Sequence, residues 1–398
     1  MEKVFRTAEP GLSILHLGGE LLLDDWVLEK PSVRHGMISA DSHVEIPESA
    51  WLEYLDADLR ESAPRLEIAE EGVFRVFEGR RTRIHANETL GRQAGAKSES
   101  FGDALDWAKE KQKKSGASDP ALRLADQDTD GVSAEILYFG GPLVNARDER
   151  LRIRSYSAYN AWLADFCAYA PKRLVGAAAL PVESAELALA EFDNVVARGF
   201  RTAYVPLFPK EGSFADPAWE PLWARLAERR MPIGLHIGGL RREERRFDDA
   251  GIFMTQNLMA RIGMAEALGE IIMCGVLQRH PELQVVSVEA QVGWMSFALS
   301  HMDTVWKKHR HWTKSPLEEE PSAYFRRQVF ATFTDDPVGM REARHIGVDN
   351  LMWSSDYPHS ETAWPHSREQ VAAWAPQFDP ETRDKLLWKN AARLYGLD

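Results

Sequence analysis

Asp41 and His43 close the apolar run MISADSH (37–43), His236 lies in PIGLHI (232–237), Glu289 in LQVVSVEA (283–290), and Asp356 ends NLMWSSD (350–356). Residues two apart on an extended strand point to the same side, so Asp41 and His43 can face one direction. Imidazole nitrogens combined with carboxylate oxygens make a mixed donor set. Such a set suits Zn²⁺, Mn²⁺ or Fe²⁺, with positions left open for water or substrate. Taken singly, each residue has a plainer reading. A lone histidine in a strand is more often a hydrogen-bonded core residue, and an Asp before Tyr-Pro is often only a turn. Jointly they are harder to explain that way, because charged groups at the ends of several apolar strands are costly without a shared partner.

The elements that must position these residues repeat along the chain. Eight apolar, β-branched runs read as strands: 37–43, 131–139, 174–181, 200–207, 232–237, 283–290, 328–334 and 350–356. Stretches of helical period lie between them, near 151–170, 184–199, 217–230, 257–279, 292–308, 337–346 and 381–395. Continuous apolar strands alternating with helices imply a parallel sheet buried on both faces. Eight such units over this length predict an α/β fold of the (β/α)8 TIM-barrel type, whose active sites lie at the C-terminal ends of the strands. The candidate residues all fall at those ends. No GxGxxG follows an early strand, which argues against a dinucleotide-binding sheet.

Position in that repeat also sorts the remaining histidines. His280, in RHPELQ, precedes a strand and so belongs to the opposite, structural face of the barrel. The HRHW run (309–312) has chelate-like spacing but sits in a charged stretch, and with His345 and His366 it reads as solvated or structural.

Two segments stand outside the repeat. Residues 1–35 read as an N-terminal extension, with two apolar runs around a GG turn suggesting a short hairpin. Residues 36–398 would form the barrel, with a long insertion at 48–125 after its first strand. Within that insertion EEGVFRVFEGRRTRIHA alternates like a β-hairpin, and the Lys-rich AKEKQKKSGASDP reads as exposed and mobile. An insertion leaving the first strand's C-terminal end lies on the active-site face, where it can serve as a lid or specificity element.

Composition narrows the function classes. The 398 residues hold 48 basic and 61 acidic side chains, a net charge of −13. That balance argues against a nucleic-acid binder, which needs clustered Lys and Arg on phosphates. No apolar run approaches the roughly 18 residues of a membrane span, and the N-terminus does not read as a signal peptide. Two cysteines without a CxxC, Cys167 and Cys274, read as buried free thiols in a reducing cytoplasm.

The pieces ISADSHVEIP, DGVSAEILYF, YNAWLADFCAYAPKRLVGAAALP, GLHIGG, HPELQVVSVEAQVGWMSFALSHMD, WSSDYPHSETAWPHS and KNAARLYGL, in this order over most of 37–398, resemble the amidohydrolase superfamily. The likeness is to the amidohydrolase family 2 branch, which includes aminocarboxymuconate semialdehyde decarboxylase and the γ-resorcylate and 5-carboxyvanillate decarboxylases. The resemblance implies a distorted (β/α)8 barrel with a metal at its C-terminal face. It implies Asp41, His43, His236 and Asp356 as ligands of one divalent ion, Asp356 doubling as acid/base, and His359 beside the pocket. The branch's decarboxylases often carry a histidine where this chain has Glu289, and relatives reading DxHxxEP place their acid one position after Glu45.

The function implied is a metal-dependent decarboxylase, or carbon–carbon lyase, of a small aromatic or unsaturated acid. The alternative is a metal-dependent hydrolase of an amide, ester or lactone. A non-catalytic binding barrel would be marked by missing ligands, and here they are present. With Asp356 held ionised by a cation, Glu289 is expected to be the carboxyl pushed upward and so the better proton carrier; the alternative is that Glu289 only orients a ligand or a loop by hydrogen bonding and leaves the acid/base role to Asp356. The expected partners are a small-molecule substrate and a second copy of the chain, the latter to cover apolar runs with no place in the barrel core.

Overall fold

The structure, a computed structural model, describes residues 36–84, 115–139, 145–238, 250–359 and 361–397. All eight expected strands are present: β1 (Met37–Val44), then β5 (Val132–Phe139), β6 (Leu174–Ala179), β7 (Thr202–Pro206), β8 (Ile233–His236), β9 (Val285–Val288), β10 (Val329–Phe333) and β11 (Leu351–Trp353). They form one eight-stranded sheet in that order, each pairing in parallel with the next. Two backbone hydrogen bonds bring its ends together, His43 N to Tyr357 O at 2.7 Å and Asp356 N to Asp41 O at 3.0 Å. The sheet therefore curls into a barrel whose seam is stitched at the C-terminal ends of its first and last strands.

Strands such as β6 and β9 are buried along their whole length, as expected when helices cover the outside and other strands fill the inside. β6 is built from small residues, LVGAAA. A Cβ on Gly176 would lie 2.8 Å from Leu163 Cγ, so glycine there lets the helix Glu149–Ala168 approach the sheet closely.

The helices expected between the strands are present, with one replaced by two: Ala250–Met273 and Val276–Arg279 stand where a single helix near 257–279 is expected. The sequence reading passed over Pro321–Gln328, Ser367–Trp374 and Pro120–Asp130. The last, here called α1, leads directly into β5 and begins inside the span assigned to the insertion. Its ends are nonetheless written locally. Asp119 accepts hydrogen bonds from the amides of Ala121 and Leu122, Pro120 occupies the first turn, and Gly131 ends it at φ 80°.

In the insertion, β2 (Arg65–Ala69), β3 (Gly72–Phe77) and β4 (Arg80–Arg83) form an antiparallel sheet, one strand more than the expected hairpin. Glu78 and Gly79 both take positive φ, the two-residue turn that matches strand twist. The expected N-terminal hairpin (1–35) and most of the Lys-rich stretch lie outside the described residues. Cys274 is exposed, against the expectation that it is buried, whereas Cys167 packs partly buried against the core. No helix among the described residues is long and apolar enough to cross a membrane.

Candidate metal centre

The sequence-derived residues arrive at one mouth of the barrel from the ends of four strands. Asp41 and His43 lie in β1, His236 is the last residue of β8, Glu289 directly follows β9, and Asp356 and His359 follow β11. β1 is not a simple alternating strand. Ser39 pairs with Glu135 and Ser42 with Leu137, so one extra residue is accommodated between them. Such a bulge re-aims side chains beside it, and Asp41 lies within it. The backbone at Glu289 (φ 60°) and Asp356 (φ 55°) is left-handed. For non-glycine residues that conformation costs of order 1–3 kcal/mol and persists only where surroundings enforce it. Here Thr332 Oγ1 accepts from Glu289 N at 2.9 Å, and Asp41 O accepts from Asp356 N.

His43 is the hub. Its Nε2 lies 3.5 Å from Asp41 Oδ1, 3.6 Å from Glu289 Oε2 and 3.2 Å from Asp356 Oδ1. His236 Nε2 lies 3.7 Å from Asp41 Oδ1 and 3.4 Å from Glu289 Oε2. His359 stacks on the His43 ring at 3.8 Å and places Nδ1 2.9 Å from Asp356 Oδ1. Two overlapping groups result, Asp41–His43–His236–Glu289 and His43–Glu289–Asp356–His359, each with one donor atom per residue within 4.8 Å of the others. Glu289 belongs to both.

The donor set fits a divalent cation. Both oxygens of Asp41 and the Nε2 atoms of His43 and His236 are buried without a hydrogen-bond partner, which a protein rarely leaves uncompensated. His236 Nδ1 lies 2.6 Å from the Ile237 carbonyl, the contact that fixes a ring with Nδ1–H outward and its Nε2 lone pair toward the cluster. Mixed nitrogen and oxygen donors of this kind can hold zinc, manganese or iron.

Charge coupling orders the protonation states of the metal-free cluster. Burial pushes His43 down, but contacts with Asp356, Glu289 and Asp41 outweigh it and lift the imidazole to about 9. Burial likewise opposes His236, while Asp41 and Glu289 raise it to about 9. Asp41 is raised chiefly by burial, against the pull of His236 and His43. Burial and Asp356 push Glu289 up, yet the three surrounding imidazoles, those of His43, His236 and His359, hold it below its ordinary value. Asp356 is held far down by His359 and His43, again against burial. In the metal-free cluster three imidazoles face Glu289 and hold it down, and Asp41 is the raised carboxyl; the upward shift expected of Glu289 belongs to the metal-loaded site.

The other histidines lie elsewhere. His280 Nε2 contacts Glu220 Oε2 at 2.7 Å, ahead of β9. His345 and His366 are exposed, and His309 packs on Trp312 on the exposed end of its helix. Sequence reasoning missed the buried polar layer behind the donor cluster, in which Ser39, Ser42 and Ser355 hydroxyls lie 2.9–3.1 Å apart. A signal was available in Glu135, an acid inside the otherwise apolar β5.

A closed parallel barrel with buried carboxylates and imidazoles converging at the C-terminal strand ends defines a class, the barrel proteins built to hold a catalytic metal at that face. The chain belongs to the amidohydrolase family, whose family model matches residues 41–397. It is similar to γ-resorcylate decarboxylase of Rhizobium sp. strain MTP-10005, 26% identical over 297 residues, covering 69% of this chain and 86% of that protein. Among solved structures it resembles an amidohydrolase from Mycobacterium avium subsp. paratuberculosis, with TM-score 0.72, 21% identity, and 92% and 100% of the two chains covered. It also resembles the dihydroxybenzoic acid decarboxylase of Polaromonas sp. JS666 with bound manganese and the inhibitor 2-nitroresorcinol, with TM-score 0.65, 18% identity, and 91% and 97% covered.

Proposed function

We propose that the protein is a metal-dependent decarboxylase, a carbon–carbon lyase acting on a small aromatic or unsaturated carboxylic acid. The carrying observation is the convergence of six acid and imidazole side chains, with Asp41, His43 and His236 presenting unpartnered buried donor atoms. Similarity to γ-resorcylate decarboxylase supports the choice of reaction, and the manganese in the Polaromonas structure supports a metal of the zinc, manganese and iron group.

Asp41, His43, His236 and Asp356 are the proposed ligands. A divalent ion held there supplies Lewis acidity to a substrate carboxylate and an adjacent hydroxyl or carbonyl oxygen. The chain's own task is the proton. The carbon bearing the carboxylate takes up one proton, its bond to the carboxylate breaks, that electron pair stays with the carbon, and CO₂ leaves. Asp356 rests ionised, so it needs a donor behind it. His359, with Nδ1 at 2.9 Å and its side chain 28% exposed, can hand Asp356 a proton and be recharged from solvent. Glu289 faces the same space and is the second candidate carrier.

The active assembly we propose is a homodimer or larger homo-oligomer. Met254, Leu258 and Ile262, spaced by four on one helix, expose large apolar side chains with Met259 beside them. A second copy is the proposed cover for that face. The insertion after β1 is the proposed specificity element, and the cytoplasm the proposed compartment.

The test is metal analysis of purified protein, then a screen for released CO₂ against hydroxylated aromatic acids, with ester and lactone hydrolysis run in parallel. Metal-dependent CO₂ release is the expected result. Hydrolysis without CO₂ release would overturn the reaction assigned.

A further inference from the structure

Behind the ligand cluster a buried ion pair spans the barrel seam. Arg123, on α1, is fully buried, and its Nε lies 2.5 Å from Glu135 Oε2 on β5. Its Nη1 donates to the backbone carbonyl of His43 at 2.7 Å and of Gly116 at 3.3 Å, and its Nη2 to that of Tyr357 at 3.4 Å. The guanidinium lies over the Tyr357 ring, 4.5 Å from its centroid. Glu135 is satisfied in turn: Oε1 accepts from Ser42 Oγ at 3.0 Å, and Oε2 from Gln127 Nε2 at 2.6 Å. Through Ser42 the network continues to Ser39 and Ser355, and Ser39 Oγ donates to the Asp41 carbonyl at 2.8 Å.

One ion pair therefore joins β1, β5 and the segment after β11. It grips the carbonyl of His43 and that of Tyr357, the residue following Asp356. A buried ion pair is a poor way to gain stability, since two apolar residues of similar volume often do as well or better. Arginine's planar fork is well suited to holding several acceptors at fixed separation. The placement, against both seam strands at the ligand-bearing residues, accounts for retaining it.

We propose that Arg123 and Glu135 are positioning residues for the metal centre: the fork of Arg123, aimed by Glu135, sets the spacing of His43 and Asp356 across the seam. This rests on the reading of Asp41, His43, His236 and Asp356 as metal ligands.

The test measures Mn²⁺ affinity by calorimetry on the full chain, alongside the Mn²⁺ electron paramagnetic resonance spectrum and thermal unfolding. Two variants are compared with the wild type. Arg123→Lys keeps the charge and loses the fork. The double variant Arg123→Met/Glu135→Leu removes both buried charges together. In both, Mn²⁺ affinity is expected to fall about tenfold to a hundredfold, as for other groups that orient ligands from behind. The spectrum should change, and the double variant should melt at or near the wild-type temperature. Affinity within twofold of wild type in either folded variant overturns the proposal. A double variant that does not fold overturns it too, because the pair would then serve the fold rather than the ligands. A wild type that binds no divalent ion would instead defeat the ligand assignment itself, a separate outcome.

Discussion

His236 offers the least replaceable donor of the cluster: a single imidazole nitrogen at a strand end, its ring oriented by the Ile237 carbonyl. His236→Ala should lose metal and activity while the far-UV circular dichroism stays unchanged. Full metal occupancy with normal turnover would sink the ligand assignment. Glu289→Gln keeps shape and hydrogen bonding but cannot exchange a proton. If Glu289 carries protons, kcat falls and one limb of the pH–rate profile disappears at unchanged metal content; a loss of metal instead would move Glu289 among the ligands. The imidazoles also set a pH dependence. In the metal-free protein His43 and His236 are raised from 6.5 to about 9. Their stabilising charge contacts are therefore complete below about pH 6.5 and fade as the pH climbs through 9. Metal uptake runs the other way, since a ligand nitrogen must first release its proton. Mn²⁺ affinity should rise between about pH 6 and pH 9, and calorimetry in buffers of different ionisation enthalpy should register protons released. Flat affinity across that range would contradict these shifts. Residue types were readable from sequence here, but protonation order was not, because it depends on three imidazoles facing Glu289 from separate parts of the barrel mouth.

At the level of elements, strand ends were legible because buried parallel strands write themselves as continuous apolar runs, and the polar residue that stops each run stands out. MPIGLHI and VVSVEA gave His236 and Glu289 in this way. The bulge in β1 was not legible, since it arises from pairing with β5 and not from the residues within it. Nor was α1 recognised, although Asp119, Pro120 and Gly131 mark both its ends, because a charged stretch precedes it and the face it buries carries Arg123, Gln127 and Asp130 in place of apolar side chains. The division of the barrel into two ends makes its own forecast. His280 pairs with Glu220 on the end away from the ligands. His280→Ala should leave metal content and turnover near wild type and lower stability by about 1 kcal/mol or less, the worth of a partly exposed pair. A loss of metal in that variant would contradict the sorting of histidines by barrel end.

For the whole molecule, the apolar side chains exposed along the helix Ala250–Met273 set the assembly forecast. Light scattering at micromolar concentration should return at least a dimer, and Leu258→Glu should shift it toward monomer. A wild type that scatters as a clean monomer would refute this. The seam between β1 and β11 has a further consequence, and it concerns time. Ser39 and Ser355, which touch beneath the ligands, are 316 positions apart along the chain. A ribosome adding roughly 5–20 residues per second needs on the order of 15–60 s to make that stretch. Throughout that interval the nascent chain carries Asp41 and His43 without their counterpart from the last strand. The complete pocket comes into being only when nearly the whole polypeptide has emerged, so a truncated product cannot hold a finished centre. On the proposed ligand assignment, a metal ion would meet the whole donor set only in the finished barrel.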